Sequence, residues 1–203
     1  MIAIIDYGVG NLKSIHNIYH SIDIKSEITS SQSVIKNASH IILPGVGNFD
    51  YVMKHFIDSG LKDIVEEEVL VKSKPILGIC VGMQILANKS EEGEMLGLGW
   101  IDADVKKLDT SSLKFKPTTP HMGWNSIAPS NDKLFEDIPD KSDFYFLHSF
   151  CFHPINPDQQ IASTFYGAEF CSAVRNSNIF GVQFHPEKSH NNGVKLLKNF
   201  SKI

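Results

Sequence analysis

The amino-acid sequence predicts an α/β fold with a largely parallel central sheet, and additional antiparallel strands in its C-terminal half. Two observations predict this fold. In the first 90 residues, short apolar runs alternate with stretches whose apolar residues recur at helical spacing. After Ser90, glycine-rich turns separate short alternating runs of the kind that form strands. No linker or shift in composition marks a boundary, so we expect a single three-layer domain over residues 1–203.

The N-terminal half contains three predicted strand–loop–helix units, which indicate parallel strands. The strands cover residues 1–6, 25–29 and 41–43, and the helices that follow them cover residues 12–22, 31–37 and 49–58. A further helix is indicated by Leu61, Ile64, Val65 and Val69. The apolar run at residues 76–80 then predicts a central strand buried on both faces, and a helix over residues 83–88 follows it.

The C-terminal half is expected to be rich in strands. These cover residues 99–107, 144–150, 161–166, 169–175 and 179–184. The chain closes with a predicted helix over residues 192–202, in which Val194, Leu197 and Phe200 form the buried stripe.

Composition and charge exclude several classes of function. The chain has 19 Lys and Arg against 23 Asp and Glu, a net charge of −4, and Arg175 is its only arginine, so we expect no nucleic-acid partner. No apolar stretch approaches the roughly 20 residues that a membrane helix needs, so we expect no membrane partner. Since the N-terminus also lacks the pattern of a signal peptide, the sequence predicts a cytoplasmic protein.

Cys80 is the candidate nucleophile. It lies in Gly-Ile-Cys-Val-Gly at 78–82, between a predicted strand and a predicted helix, which is the pattern of a nucleophile elbow. Small flanking residues permit the sharp turn, and unpaired N–H groups at a helix N-terminus favour the thiolate over the thiol. The alternative is a buried structural cysteine, which is the interpretation we favour for Cys151 and Cys171.

His185 and Glu187 are the candidate base and its orienting carboxylate. They flank Pro186 directly after the apolar run at 179–184, so both side chains are expected on one side of the strand end. In that position His185 would exchange a proton with a thiol, and Glu187 would fix the imidazole tautomer. Alone, this tripeptide is also compatible with a surface turn.

The glycine-rich segment Pro-Gly-Val-Gly at 44–47 is a candidate oxyanion loop. It follows the predicted strand at 41–43, at the edge where ligands bind parallel sheets. Backbone N–H groups of Gly45, Val46 and Gly47, together with that of Val81, are placed to stabilise an oxyanion. The alternative is an ordinary turn.

Other motifs are weak signals for metals or cofactors. Gly8-Val9-Gly10 follows the first predicted strand, but Lys13 occupies the place of the third glycine of a dinucleotide-binding loop. His16 and His20 have helical spacing without further metal ligands, and nothing fixes the geometry of His190 near His185 and Glu187. The three cysteines lack CxxC spacing. We therefore predict no metal and no cofactor.

Three segments in combination identify a family. Gly-Ile-Cys-Val-Gly-Met-Gln at 78–84, Pro-Gly-Val-Gly at 44–47 and His-Pro-Glu-Lys-Ser at 185–189 together resemble the triad-type class I glutamine amidotransferases. Within that superfamily, the segments at 6–11, 90–93, 120–125 and 145–149 resemble the glutaminase subunits of imidazole glycerol phosphate synthases. The resemblance spans the whole chain.

The resemblance implies a flavodoxin-like domain that hydrolyses L-glutamine and channels ammonia to a separate (β/α)₈-barrel synthase subunit, as one half of a heterodimer. It implies a catalytic triad of Cys80, His185 and Glu187, with the oxyanion donors at Gly45, Val46, Gly47 and Val81. It implies substrate binding near Gln84, Ser149 and Phe150. It implies a partner interface and ammonia exit at Pro120, Met122, Trp124, Asn125, Tyr145 and Lys188.

Two departures from the family pattern leave the ammonia acceptor open. Phe150 stands where relatives commonly have tyrosine, and Ala-Asn-Lys at 87–89 replaces aromatic and acidic residues. Such differences are typical of paralogous subunits that supply ammonia for amidating sugars in surface-polysaccharide synthesis.

Two further hypotheses keep the fold but change the function. The first is a cysteine peptidase, and Gln84 and the segment at 120–125 argue against it. The second is a non-catalytic subunit that docks a barrel protein. The intact set of Cys80, His185 and Glu187 argues against the second, because a binding module has no need of all three.

Overall fold

The computed structural model describes residues 1–114, 116 and 118–203. Its α-helices are α1 (Leu12–Ser21), α2 (Gln32–Asn37), α3 (Phe49–Asp58), α4 (Lys62–Glu66), α5 (Val81–Gln84) and α6 (His190–Phe200). Its strands are β1 (Ile2–Ile5), β2 (Ser26–Thr29), β3 (His40–Gly45), β4 (Ile76–Cys80), β5 (Lys89–Ser90), β6 (Ala103–Lys107), β7 (His121–Ser126), β8 (Ala128–Pro129), β9 (Asp143–His148), β10 (Phe150–Pro154), β11 (Gln160–Tyr166), β12 (Ala168–Asn176) and β13 (Ile179–Val182). A π-helical turn, Glu67–Val71, extends α4, and short 3₁₀ helices cover Lys133–Phe135, Pro157–Gln159 and Pro186–Lys188.

The main sheet has the strand order β2-β1-β3-β4-β13-β12-β10-β6-β5, and β11 pairs with both β12 and β8. Its first five strands are parallel. The contacts β13–β12, β12–β10 and β10–β6 are antiparallel. Because the parallel part has the 2-1-3-4-5 order of a flavodoxin-like sheet, the predicted fold class is confirmed.

The parallel strands form the centre of the core. β1, β4 and β13 are buried at every residue, as the apolar runs in the sequence predict. Helix α1 packs against α6, and the buried Tyr19 hydroxyl donates a hydrogen bond to the Leu197 carbonyl between them. Phe180 of β13 meets Phe200 of α6 edge to face. The sheet is thereby fixed against its covering helices.

Two helix predictions are corrected by the structure. The helix expected over residues 83–88 is α5, which begins at Val81 and ends at Gln84. The carbonyls of Ile85, Leu86 and Ala87 instead accept hydrogen bonds from the N–H groups of residues 98–101, which ends the helix. In α6, Val194 is only half-buried, and Leu196 lies in the core beside Leu197 and Phe200.

A small second sheet is the main element missed by the sequence analysis. β7 and β9 form an antiparallel pair that is separate from the main sheet. The predicted strand at 144–150 therefore divides near Ser149, since β9 pairs with β7 whereas β10 joins the main sheet. The strand pair covers the carboxyl end of β13, and His185 donates its backbone N–H to the Tyr145 carbonyl.

Strands β3 and β4 and helix α5 approach each other so closely that three positions require glycine. A Cβ on Gly82 would lie 1.9 Å from the Leu43 carbonyl oxygen, and one on Gly45 would lie 2.3 Å from the Gly82 nitrogen. A Cβ on Gly78 would lie 2.6 Å from the Gly82 oxygen. Real Cβ atoms do not approach backbone atoms at such distances.

We expect Gly82→Ala to lower the free energy of unfolding by at least about 3 kcal/mol, because only backbone shifts can relieve the overlap. Gly60→Ala is the matched control: Gly60 has positive φ but has open space around it, so its cost is only about 1–2 kcal/mol. Urea unfolding of both variants measures the difference. Equal destabilisation would contradict the packing constraint.

Candidate active site

Cys80 lies at the turn between β4 and α5. Its backbone has φ 56° and ψ −113°, a region that non-glycine residues avoid at a cost of about 1–3 kcal/mol. The turn places Cys80 at the carboxyl end of the parallel strands, on the wall of a cleft of about 440 Å³. The predicted elbow geometry is present, and the strained turn directs the Cys80 side chain to the cleft.

His185 and Glu187 lie beside Cys80 in the same cleft. His185 Nδ1 is 2.9 Å from Glu187 Oε1, and Cys80 lies close enough to favour the protonated form of the ring. Both side chains are almost fully buried. The structure therefore brings the three predicted triad residues together as a continuous thiol–imidazole–carboxylate arrangement.

The backbone around His185 is anchored to β9. The Ser189 hydroxyl donates to the His185 carbonyl at 2.6 Å and accepts the Tyr145 N–H at 3.0 Å. The His185 N–H in turn donates to the Tyr145 carbonyl at 2.8 Å. These bonds fix the ring where the strand β13 has ended, so the imidazole needs little reorganisation to reach the sulfur.

Opposing effects set the charge of His185. Burial favours the neutral ring, but the Cys80 thiolate and the Glu187 carboxylate outweigh it and raise the pKa of His185 to about 10. The imidazole is therefore protonated at neutral pH, with Cys80 and the Glu187 carboxylate as its neighbours. An imidazolium beside a thiol favours loss of the thiol proton and can itself act as a general acid.

Two other buried histidines are neutral. Burial lowers the pKa of His121 to about 4 and that of His148 to about 3. His148 Nδ1 bonds the Phe150 carbonyl at 2.8 Å, and its Nε2 lies 3.1 Å from His121 Nδ1. Both rings are therefore neutral beside the charged His185, and they fix the end of β9.

The candidate oxyanion loop borders the same cleft. Gly45 pairs with Cys80 in the parallel ladder, and Val46, Gly47 and Val81 line the cleft. Across the described ranges, the N–H groups of Val46 and Gly47 donate to no protein group. They are therefore free to bind a substrate oxygen close to the sulfur.

The three predicted substrate-binding residues differ in their placement. Ser149 lines the cleft, whereas Gln84 and Phe150 lie behind its wall. Gln84 Nε2 donates to the Phe150 carbonyl at 3.1 Å and to Gln183 Oε1 at 3.0 Å. Direct contact of Gln84 and Phe150 with substrate stays a prediction, and in this structure they support the cleft from behind.

Two residues at the site escaped the sequence analysis. Gln183 is fully buried directly after β13, and its Nε2 lies 3.8 Å from Cys80 Sγ. Glu92 lines the cleft and accepts the N–H of Phe49, the first residue of α3, at 2.8 Å. Both lie in segments already singled out, since Gln183 precedes the His185 motif and Glu92 lies within residues 90–93. Only the folded chain brings Glu92 to the cleft and Gln183 against Cys80.

The predicted partner-facing residues cluster around the cleft mouth. Met122 and Trp124 of β7 are exposed, opposite Leu147 and Tyr145 of β9. Pro120 lines the cleft, and Lys188 Nζ lies 5.4 Å from the centre of the Tyr145 ring. Asn125 instead points to the other side, where it binds His121 and the Phe165 carbonyl. The apolar face formed by the exposed Met122, Trp124 and Leu147 with the half-buried Tyr145 is called the docking face below.

The remaining cysteines and the weak metal motifs lie apart from this site. Cys151 and Cys171 are buried, and burial raises the pKa of each thiol, to about 12 for Cys151. His16 bonds Ser26 and His190 stacks on Trp124. Among residues 1–114, 116 and 118–203, no group of three or more His, Cys, Asp or Glu is arranged to hold a metal ion. Nor does any helix in those ranges have the length and apolar character to cross a bilayer.

Sequence comparison relates the chain to one family over nearly its whole length. The family model described as "Glutamine amidotransferase class-I" matches residues 3–203. "Imidazole glycerol phosphate synthase subunit HisH" of Bdellovibrio bacteriovorus is 47% identical over 204 residues, covering 100% of both chains. "Imidazole glycerol phosphate synthase subunit HisH 2" of Methanococcus maripaludis is also 47% identical, covering 100% of this chain and 99% of its own.

Solved structures share the fold at lower sequence identity. A structure titled "Crystal structure of glutamine amidotransferase" superposes with a TM-score of 0.76 at 17% identity, covering 100% of this chain and 98% of its own. A glutamine amidotransferase of Thermotoga maritima gives a TM-score of 0.65 at 17% identity, covering 99% and 82%. These likenesses support the fold class.

We expect the pKa of His185 to fall in Cys80→Ala, because the variant removes the thiolate that favours the imidazolium while burial still disfavours it. Titration of the ring by ¹⁵N NMR measures the change. Cys151→Ala is the control and should leave the His185 titration unaltered. An unchanged His185 pKa in Cys80→Ala would contradict an electrostatic effect of Cys80 on the ring.

Proposed function

The chain belongs to the class I glutamine amidotransferases, and on that premise we propose that Cys80, His185 and Glu187 hydrolyse glutamine for an imidazole glycerol phosphate synthase. The chain is the glutaminase subunit of that synthase and acts in histidine biosynthesis. The observation that carries the chemistry is the contact of His185 with both Cys80 and Glu187 at the wall of the cleft.

In the first step, the Cys80 thiolate attacks the side-chain amide carbon of glutamine. A C–S bond forms, and the carbonyl electrons move to the oxygen. The N–H groups of Val46 or Gly47, together with that of Val81, stabilise this oxyanion, since these residues line the cleft that also holds Cys80. The closely packed backbone of β3, β4 and α5 holds Val81 and the start of the loop at Gly45 in position.

In the second step, the His185 imidazolium donates a proton to the amide nitrogen. The C–N bond breaks, ammonia leaves and a γ-glutamyl thioester remains on Cys80. The now neutral His185 accepts a proton from water, and the resulting hydroxide attacks the thioester and releases glutamate. Glu187 stabilises the imidazolium at both ends of the cycle through its 2.9 Å contact with Nδ1.

Glu92 and Ser149 supply the polar contacts that glutamine needs away from its amide. Glu92 presents a carboxylate to the cleft, complementary to the α-ammonium group of the substrate. Ser149 lies at the junction of β9 and β10, on the same cleft wall as His148. The selectivity for an amino acid rather than a peptide follows, because a peptide lacks the free α-ammonium group at this position.

The docking face is the proposed surface for the (β/α)₈-barrel subunit. Met122 is 65% exposed and Trp124 is 48% exposed, unusual values for large apolar side chains on a regular strand. The face adjoins Pro120 and Lys188, which line the cleft, so ammonia released in the cleft would leave beside the proposed interface. The three free cysteines fit a reducing compartment, and we infer that the heterodimer works in the cytoplasm.

Relatives of full length argue for the histidine pathway over sugar amidation. Eight such relatives named as HisH subunits are 40–47% identical to this chain. The sugar-amidation alternative is therefore not favoured. The departures at Phe150 and at residues 87–89 do not alter the cleft, since Phe150 contributes its carbonyl behind the wall.

We expect this chain, mixed with the barrel subunit of the synthase, to release glutamate from glutamine, and the formimino nucleotide substrate of the barrel to stimulate that release. Cys80→Ala should lower the rate by at least about 10⁴-fold, because the nucleophile is lost. Cys171→Ala is the matched control and should keep the rate. A coupled glutamate assay measures the rate of the wild-type complex with and without the nucleotide, and the rates of the two variants.

Two outcomes of that assay would contradict the proposal. Absence of stimulation by a barrel that is active with free ammonia would overturn the pathway assignment. Hydrolysis of peptides or esters at rates similar to glutamine, with or without the barrel, would favour the peptidase hypothesis.

We expect Trp124→Glu to weaken binding of the barrel subunit by about tenfold or more, because it places a charge in the docking face. Val71→Glu is the matched control, since Val71 is 77% exposed but precedes β4, at the opposite end of the strand from Cys80. Isothermal titration calorimetry gives both Kd values. Equal weakening by the two variants would place the interface elsewhere.

A further inference from the structure

The loop that follows β1 contacts the oxyanion loop, yet the proposed mechanism assigns it no role. This loop, residues 6–11, contains the Gly-Val-Gly sequence that does not match a dinucleotide-binding pattern. Gly10 and Asn11 line the active-site cleft on the side of Val46 and Gly47. The loop therefore borders the part of the site where the oxyanion forms.

Tyr7 connects this loop to the residue that precedes the oxyanion donors. Its hydroxyl donates a hydrogen bond to the Pro44 carbonyl, and its side chain is buried. β1 pairs with β3 only as far as Ile42, so Pro44 lies beyond the last paired residue on that side. The Tyr7 hydroxyl thus supplies a donor where the strand ladder has ended.

Tyr7 also contacts the helix that follows the oxyanion loop. Its ring packs edge to face on Phe56 of α3, with 5.4 Å between ring centroids. The buried Tyr7 side chain therefore hydrogen-bonds to Pro44, before the oxyanion donors, and packs on α3, which follows them. Residues 45–47 lie between these two fixed points.

Gly10 supports Pro44 from a second direction. Its φ is 111°, and a Cβ at Gly10 would lie 2.9 Å from Pro44 Cβ. The backbone of Gly10 therefore lies directly on the proline ring. Pro44 is held by Tyr7 at its carbonyl and by Gly10 at its side chain.

The segment that follows Pro44 has much less support. Val46 is 40% exposed, Gly47 has φ 108°, and neither N–H has a protein acceptor among the residues described. The direction of these N–H groups therefore depends on how the preceding peptide, Pro44–Gly45, is oriented. That peptide carries the carbonyl that Tyr7 holds.

We propose that Tyr7 is a positioning residue for glutamine hydrolysis, and that its hydroxyl fixes the Pro44–Gly45 peptide so that the following N–H groups face the oxyanion. The inference rests on the proposed function, since that function assigns the N–H groups of Val46 or Gly47 to the oxyanion. Tyr7 touches neither the substrate nor the reacting sulfur. Its effect is on the geometry of the transition-state contacts alone.

Tyr7→Phe tests the proposal because it keeps the ring and removes only the hydroxyl. In the complex with the barrel subunit, kcat for glutamine hydrolysis should fall about tenfold to a hundredfold, with KM changed less than about twofold. Tyr19→Phe is the matched control, since it also removes a hydrogen bond from a buried tyrosine to a backbone carbonyl, that of Leu197. Both variants should lose a few degrees of Tm, but Tyr19→Phe should keep its kcat.

Alkylation by iodoacetamide separates positioning from general damage. This reaction consumes the Cys80 thiolate but forms no oxyanion, so its rate in Tyr7→Phe should equal that of the wild type. A kcat equal to that of the wild type would overturn the proposal. So would a parallel fall of kcat and alkylation rate, because that result indicates a disturbed Cys80–His185 pair.

Gly10→Ala decides the question if Tyr7→Phe does not fold. The added methyl group displaces Pro44 from the opposite direction, so kcat should fall at an unchanged alkylation rate, and an unaltered kcat would overturn the proposal. A wild-type complex that releases no glutamate, although Cys80 is alkylated, would instead refute the proposed function, and with it this inference.

Discussion

The site depends on one packing constraint, the direct contact between the backbones of β3, β4 and α5. Glycines at 45, 78 and 82 let the backbones of these elements touch directly, because no side chain separates them. This contact brings the start of α5 against the end of β3, and so the candidate oxyanion loop against the turn at Cys80. The positive φ of Cys80 is a consequence of the same geometry, since the chain must reverse within one residue. The surrounding buried strands stabilise a turn that is unfavourable by itself.

The charge of each of these histidines is set by its neighbouring groups, because burial alone lowers the pKa of every histidine. His121, His148 and His185 are all buried, yet only His185 has the thiolate and carboxylate neighbours that favour its protonated form. The neutral pair fixes the end of β9 through directed hydrogen bonds, whereas the charged ring is the one proposed to act in chemistry. The same type of side chain thus has two charge states in and beside one cleft, and the local partners decide between them.

The parts of the molecule that could be predicted from the sequence are those in which neighbours along the chain determine the structure. The apolar run of β4 and the two-residue spacing of His185 and Glu187 need no knowledge of distant residues. Glu92 and Gln183 could not be assigned, because the placement of Glu92 in the cleft and of Gln183 against Cys80 arises from contacts with α3 and β4. Strand β7 was missed for a related reason: its outward residues Met122 and Trp124 are apolar, so its alternation does not separate an apolar inside from a polar outside. The end of α5 is decided by hydrogen bonds from the N–H groups of residues 98–101, a long-range effect.

The docking face has a consequence for the behaviour of the isolated chain in solution. A two-stranded ribbon with large exposed apolar side chains on one side is a surface that favours self-association. We therefore expect the isolated chain to self-associate more readily than a complex in which another subunit covers this face.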